Sequence, residues 1–297
     1  MRISTSQFQI QSVARMLEQQ ERLSNIQQKI STGRRILSPS EDPSGSARIL
    51  GLNQVVEINE QYQRNADIVQ ARLETEDVTL TSIVDVYQRV RELAVQGLND
   101  PLGQENRDAI AAEIRQQLAE LLSLSSRKDS SGEYLFSGFK GDTVPVTDDG
   151  NGGYAYAGDQ GQRRVAIGPS RNIEDSDNGF ELFFNINNTT ENAFSAVYNL
   201  ANTLENNTQS PASLNDIDAI MDNLSTYRSR TGARLNSIEV QNNVNEGVVV
   251  HSKELLSDLE DLDIAEAITE LNLRLTGLEA AQQSYVRVQG LSLFNLL

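Results

Sequence analysis

The chain has 297 residues but no cysteine, no tryptophan and a single histidine, His251. Without a thiol there can be no disulfide, no thiolate nucleophile and no cysteine-ligated metal. One histidine with no nucleophile patterned beside it leaves little for acid–base or metal chemistry, so it reads as a surface residue. Aromatic residues make up only 5% of the chain, too few for the thick core of a compact enzyme. No apolar run approaches the roughly 18 residues that a membrane span needs. Met1 to Gln7 lacks the apolar core of a secretory signal. Basic residues are scarce relative to acidic ones, 25 against 42, which gives a net charge of −17. That balance argues against nucleic acid, whose phosphates call for a basic face.

Asn, Gln and Ser are abundant, and long stretches have helical periodicity. The clearest is the last, Asp263 to Leu297. Ile264, Ile268, Leu271, Leu275, Leu278, Gln282, Tyr285 and Gln289 recur at alternating gaps of four and three. A 3.5-residue repeat marks a helix with a narrow apolar seam that needs a partner helix. The opposite end of the chain supplies a candidate in Val13, Met16, Leu23 and Ile30, with Ile26 beside them. Side chains of residues 1–40 sum to +4 and those of 255–297 to −5. Opposite charge and matching period favour association of the two ends, within one chain or between neighbours.

Between the ends, Gly33 suits a left-handed cap for a first helix spanning about Thr5 to Ile30. Pro39 and Pro43 preclude a continuous helix. Asp42 followed by Pro43 reads as an N-cap and first turn. The helix that begins there carries Leu73, Leu80, Ile83, Val86, Val90 and Leu93 at heptad spacing, with Glu76, Thr79 and Tyr87 at intervening seam positions. It should reach about Leu98, a rod of roughly 80 Å at ~1.5 Å per residue. A third helix is expected over about Gly103–Arg127.

The period then changes. Val144–Val146, Tyr154–Tyr156 and Val165–Ile167 alternate, and the run from Gly179 to Phe183 follows a turn; all four read as short strands. Helical pattern returns from Thr190 to about Glu205 and from about Leu214 to Leu262, before an acidic break at 257–263. The expected fold is mainly α. It comprises a terminal coiled-coil domain (1–40 with 263–297), a helical rod domain (41–133 with 190–262) and an inserted β-rich domain (134–189).

No catalytic constellation emerges. The run Asp148 to Gly153 lacks the closing Glu of a calcium loop and is explained by turn chemistry. Its glycines open no helix after a strand, so they form no phosphate cradle. Two Asn-X-Thr triplets, at Asn187 and Asn206, carry no weight without a secretory signal. No cofactor and no metal is expected.

Several segments resemble the flagellin superfamily. Leu23 to Arg35 and Ser40 to Gly45 are similar to its N-terminal region, Arg89 to Gln96 to its innate-receptor motif, and Gln289 to Leu297 to its C-terminal end. Gly132 to Phe139 resembles the start of the outer domain in the superfamily's hook–filament junction branch. The short chain with one small β insertion agrees with that branch, and filament-forming flagellin is the alternative. The resemblance implies a structural, non-enzymatic subunit located outside the cell on the flagellum. It also implies export through the flagellum's own channel without a cleaved signal peptide. The implied partners are further copies in a ring, the preceding junction protein, flagellin and an export chaperone. Neither nucleic acid nor membrane is among them. Half-polar terminal helices suit a subunit that orders its ends only on assembly. The assembly residues expected on this basis are Val13, Met16, Leu23, Ile30, Ile264, Ile268, Leu271, Leu275, Leu278 and Tyr285. At Val90 and Leu93 of the receptor-like stretch, the seam pattern favours packing over exposure.

Overall fold

Two stretches far apart in sequence come together as one compact unit, Met1–Ile58 with Gly247–Leu297, and the intervening Asn59–Glu246 forms a second. The computed structural model describes residues 2–98, 103–189, 191–208 and 212–294. The described residues are dominated by long helices, with two small two-stranded sheets.

The first unit contains α1 (Arg2–Thr32), the start of α2 (Pro43–Gly97), the end of α6 (Ala212–Glu260) and α7 (Ile264–Phe294). Gly33 ends α1 at φ +70°, the left-handed geometry that glycine adopts without penalty. Asp42 caps α2 by accepting the Gly45 N–H at 2.8 Å, and Pro43 occupies the first turn, where no N–H is needed. The two interhelical connections are tied together. Arg35 N–H donates to the Glu260 carbonyl at 2.7 Å, and Leu262 N–H to the Gly33 carbonyl at 2.9 Å. The Arg35 guanidinium donates to the Leu259 carbonyl at 3.0 and 3.2 Å. Asp263 then caps α7, accepting from Ala265 and Glu266 N–H at 2.9 and 3.1 Å. Only Asp261–Asp263 breaks the helical path, because α6 continues through Ser257–Glu260.

The second unit packs α3 (Gln104–Ser125) and α5 (Ala193–Glu205) against α2 and α6. Its core joins Tyr87, Val90 and Leu93 with Ile114, Leu121, Phe194, Leu200 and Ile220, all essentially inaccessible. Leu73, Leu80 and Ile83 are buried as the heptad reading requires, as are Glu76, Thr79 and Tyr87; Val86 is only half-buried. The Tyr87 hydroxyl donates to the Ala193 carbonyl at 2.9 Å, so its one polar atom is satisfied in the core.

The inserted region shares that core. Phe136 and Phe183 meet edge to face with ring centroids 5.4 Å apart, and Leu182 lies beside them. Strands β1 (Val146–Asp148) and β2 (Tyr154–Tyr156) form one antiparallel hairpin; β3 (Arg164–Gly168) and β4 (Arg171–Glu174) form another. β1 begins two residues later than the alternation suggests, since Pro145 has no N–H to give a ladder. The segment Gly179–Phe183, read from sequence as a strand, is instead a short helix, α4. Asn178 caps it by accepting the Phe180 N–H at 2.8 Å. A short apolar run is compatible with either period, and here the cap decides. β4 was not foreseen because Ile173 is its only apolar residue. Helix α5 starts at Ala193 with Asn192 as its cap; the expected start, Thr190, lies outside the described residues.

Candidate assembly surface

Helices α1 and α7 pack side by side in opposite directions. Gly33 meets Leu262 at one end of the pair. Farther along, Ser12, Arg15 and Met16 face Ala281, Ser284 and Tyr285 across a groove of about 260 Å³. The seam residues of the two chain ends therefore come together within one molecule. Met16, Leu23, Ile30, Leu271, Leu275, Leu278 and Tyr285 are half-buried. Ile26 and Ala267 are the buried points, 7% and 6% exposed. Val13, Ile264 and Ile268 remain exposed at 38%, 44% and 45%. Two helices without a third can cover only one side of each seam residue.

The pair also carries large apolar side chains outside the sequence-read seam. Ile10, Leu17, Leu273 and Val286 are between 61% and 73% exposed. In α1 the spacing Ile10, Val13, Leu17 is itself a helical stripe, and reading Val13 into the inner seam hid it. Of the tail Gln289–Leu297, residues 295–297 lie outside the described residues.

Charges at the two ends are used locally. Arg22 pairs with Glu18 at 2.5 Å, and Arg274 with Glu270. Lys29 pairs with Glu41 at 3.1 Å. Glu41 also accepts from Asn25 and from Leu37 N–H, and these bonds, led by Asn25, hold its carboxyl below the usual carboxylate range.

Within Arg89–Gln96, Val90, Leu93 and Ala94 are buried in the second unit's core. Arg89 is held by Glu113 at 2.7 Å and Glu92 at 3.1 Å. His251 is exposed, 3.7 Å from Glu254. Among the described residues no group of three His, Cys, Asp or Glu could hold a metal, and no helix is long and apolar enough to cross a membrane.

The polar cluster the sequence did not disclose lies in the second unit. Arg72 binds Asp129 at 2.7 Å and Glu133 at 3.0 Å, Arg163 binds Asp175 at 2.5 Å, and Arg234 binds Asp177. Glu76, assigned from its spacing to a seam, is fully buried beside Asp177. Its position was legible, but its partners are some hundred residues away and carry no local signal.

Residues 3–140 match the bacterial flagellin N-terminal helical region. The chain is 24% identical to flagellar hook-associated protein 3 of Escherichia coli K12, over 100% of this chain and 99% of that one. The crystal structure of the flagellar junction protein FlgL from Legionella pneumophila superposes with a TM-score of 0.62 at 21% identity, covering 72% of this chain and 99% of that one. A flagellin of Salmonella rubislaw is 31% identical, but over 130 residues, 44% of this chain and 26% of that one. Flagellin thus resembles one part of the chain, whereas hook-associated protein 3 is similar to it along its whole length.

Proposed function

We propose that the chain is a structural subunit of the bacterial flagellum, an adaptor joining hook to filament at the junction between them. It is not an enzyme. Copies form a ring outside the cell, between the preceding hook-associated junction protein and flagellin. The subunit travels through the flagellum's own export channel, and an export chaperone holds its C-terminal region beforehand. In this reading residues 1–40 with 263–297 are the assembly domain, 41–133 with 190–262 the rod and 134–189 the outer β-rich domain.

The observation that carries this reading is the unfinished packing of the terminal pair. Seven of the ten seam residues are half-buried within the chain, while Ile10, Leu17, Leu273 and Val286 stay in water. In α1, Ile10, Val13 and Leu17 line up on one exposed stripe, which supports a contact with a further molecule. Supplied by neighbouring copies in a head-to-tail arrangement, it builds rings and tubes rather than closed dimers. The whole-length likeness favours the adaptor over filament-forming flagellin.

The test is complementation of a cell lacking its own junction protein. Expression of this chain should retain flagellin on the hook. Continued leakage of flagellin into the medium would refute the adaptor role, and seeded growth of the purified chain into long filaments would replace it with the flagellin reading.

A further inference from the structure

The connection between β4 and α4 is unusual for a loop. Asp175, Ser176, Asp177 and Asn178 are all buried, and none is apolar. Buried loops are rare because their polar groups need partners. Here the partners come from two helices and a neighbouring strand segment. On α6, Arg234 contacts the Asp177 carboxylate and lies 3.9 Å from Glu174, and the Thr231 hydroxyl donates to Asp177 at 3.3 Å. Arg163, next to β3, and Arg72, on α2, hold Asp175. Glu76, one turn after Arg72 on α2, accepts the Asp177 N–H at 3.0 Å.

The carboxyls outnumber the guanidiniums. Asp129, Asp175 and Asp177 each touch an arginine, and Glu133 does too. Glu76 has no ion pair among the described residues, and its second oxygen is buried without a hydrogen-bond partner. An unpaired carboxylate in that setting costs more than a neutral carboxyl. We propose that Glu76 is a proton-dependent latch: as a neutral carboxyl it holds the β4–α4 connection between α2 and α6, and loss of its proton loosens that connection. Burial pushes the Glu76 carboxyl well above the usual carboxylate range, and the Asp177 charge adds to the shift. The Asp177 N–H and the Arg234 charge oppose it without reversing it.

The sign follows from linkage. The folded chain keeps a proton at Glu76 that the unfolded chain releases. The latch is therefore complete below the ordinary carboxylate range. It weakens as pH rises toward the folded pKa of Glu76. Over that window the unfolding constant should rise by up to about tenfold per pH unit.

Seven of the eight tyrosines lie in Asn59–Glu246, so tyrosine emission follows this unit. Urea unfolding of the full chain, read this way from mildly acidic to mildly alkaline pH, should show that slope. Glu76→Gln should lose it and become more stable than the parent at the alkaline end. Amide exchange at 175–178 should accelerate with pH beyond its intrinsic rise in the parent and not in the variant. Equal slopes in both proteins would overturn the latch. If Glu76→Gln does not fold, infrared spectra of the parent at neutral pH still decide: a protonated buried carboxyl band supports the latch, and its absence refutes it.

Discussion

The two units bury side chains to very different depths. In Asn59–Glu246 four helices and the inserted region enclose Phe136, Phe183, Phe194 and Tyr87 almost completely. In the α1–α7 pair nearly every seam residue is covered on one side only. The same period of apolar residues specifies both, so period alone does not set depth. Depth depends on how many elements converge. The first arrangement closes a core within a single chain, although Ile68, Val78 and Phe139 stay exposed on its outside; the second leaves its own seam partly open.

The widest gap should appear when one core side chain is truncated in each unit. Phe183→Ala removes a ring packed on both Phe136 and Phe194 and should cost about 4 kcal/mol. Leu275→Ala, in the half-buried seam, should cost only about 1 kcal/mol. Denaturation followed separately by tyrosine emission and by amide exchange in α7 measures both. Comparable losses would mean that the pair is packed as tightly as the core, and the contrast would collapse.

Protonation separates the units in the opposite sense. Glu41, tied to Asn25, Lys29 and the Leu37 N–H, has a lowered pKa. Its stabilising contribution is present above the ordinary carboxylate range and is lost as pH falls through its folded value. Glu76 has a raised pKa, so its unit weakens as pH rises. Acid should therefore loosen the surroundings of Glu41, and mild alkali those of Glu76. Glu41→Gln should flatten the acid limb of exchange near residues 33–42 without changing tyrosine emission. An unchanged acid limb would show that this carboxyl contributes nothing there.

The sequence was most legible where one residue acts locally. Gly33, Asp42 and Pro43 mark real helix ends because a cap or a missing N–H works within four residues. The heptads of α2 were legible because period is a local property, down to the buried Glu76 and Tyr87. What stayed hidden depends on remote partners. β4 exists because Ile173 faces Val165 across the hairpin, not because Arg-Asn-Ile-Glu looks like a strand. α4 depends on one Asn cap at the start of a run that fits either period. At the terminal helices, the seam could be read from spacing. Which residues of the stripe turn to the partner helix, and which stay exposed, could not, since Val13 satisfies both patterns.

The smallest effect on the isolated chain should accompany the largest effect on assembly. Ile10→Ser and Leu17→Ser alter side chains 67% and 61% exposed, so the monomer should change by less than about 0.5 kcal/mol. In the proposed ring those positions would lie against a neighbour, and each serine would put a hydroxyl where apolar surface is needed. Hook binding by the double variant should fall at least tenfold while its urea midpoint stays that of the parent. Met16→Ser, on the inner groove, serves as the control: it should lower the α7 exchange midpoint, because Met16 faces Tyr285 within the chain. If the double variant binds hooks as the parent does, the outer stripe is not the assembly contact. The terminal pair would then be merely a thinner version of the core, with no surface reserved for a neighbour.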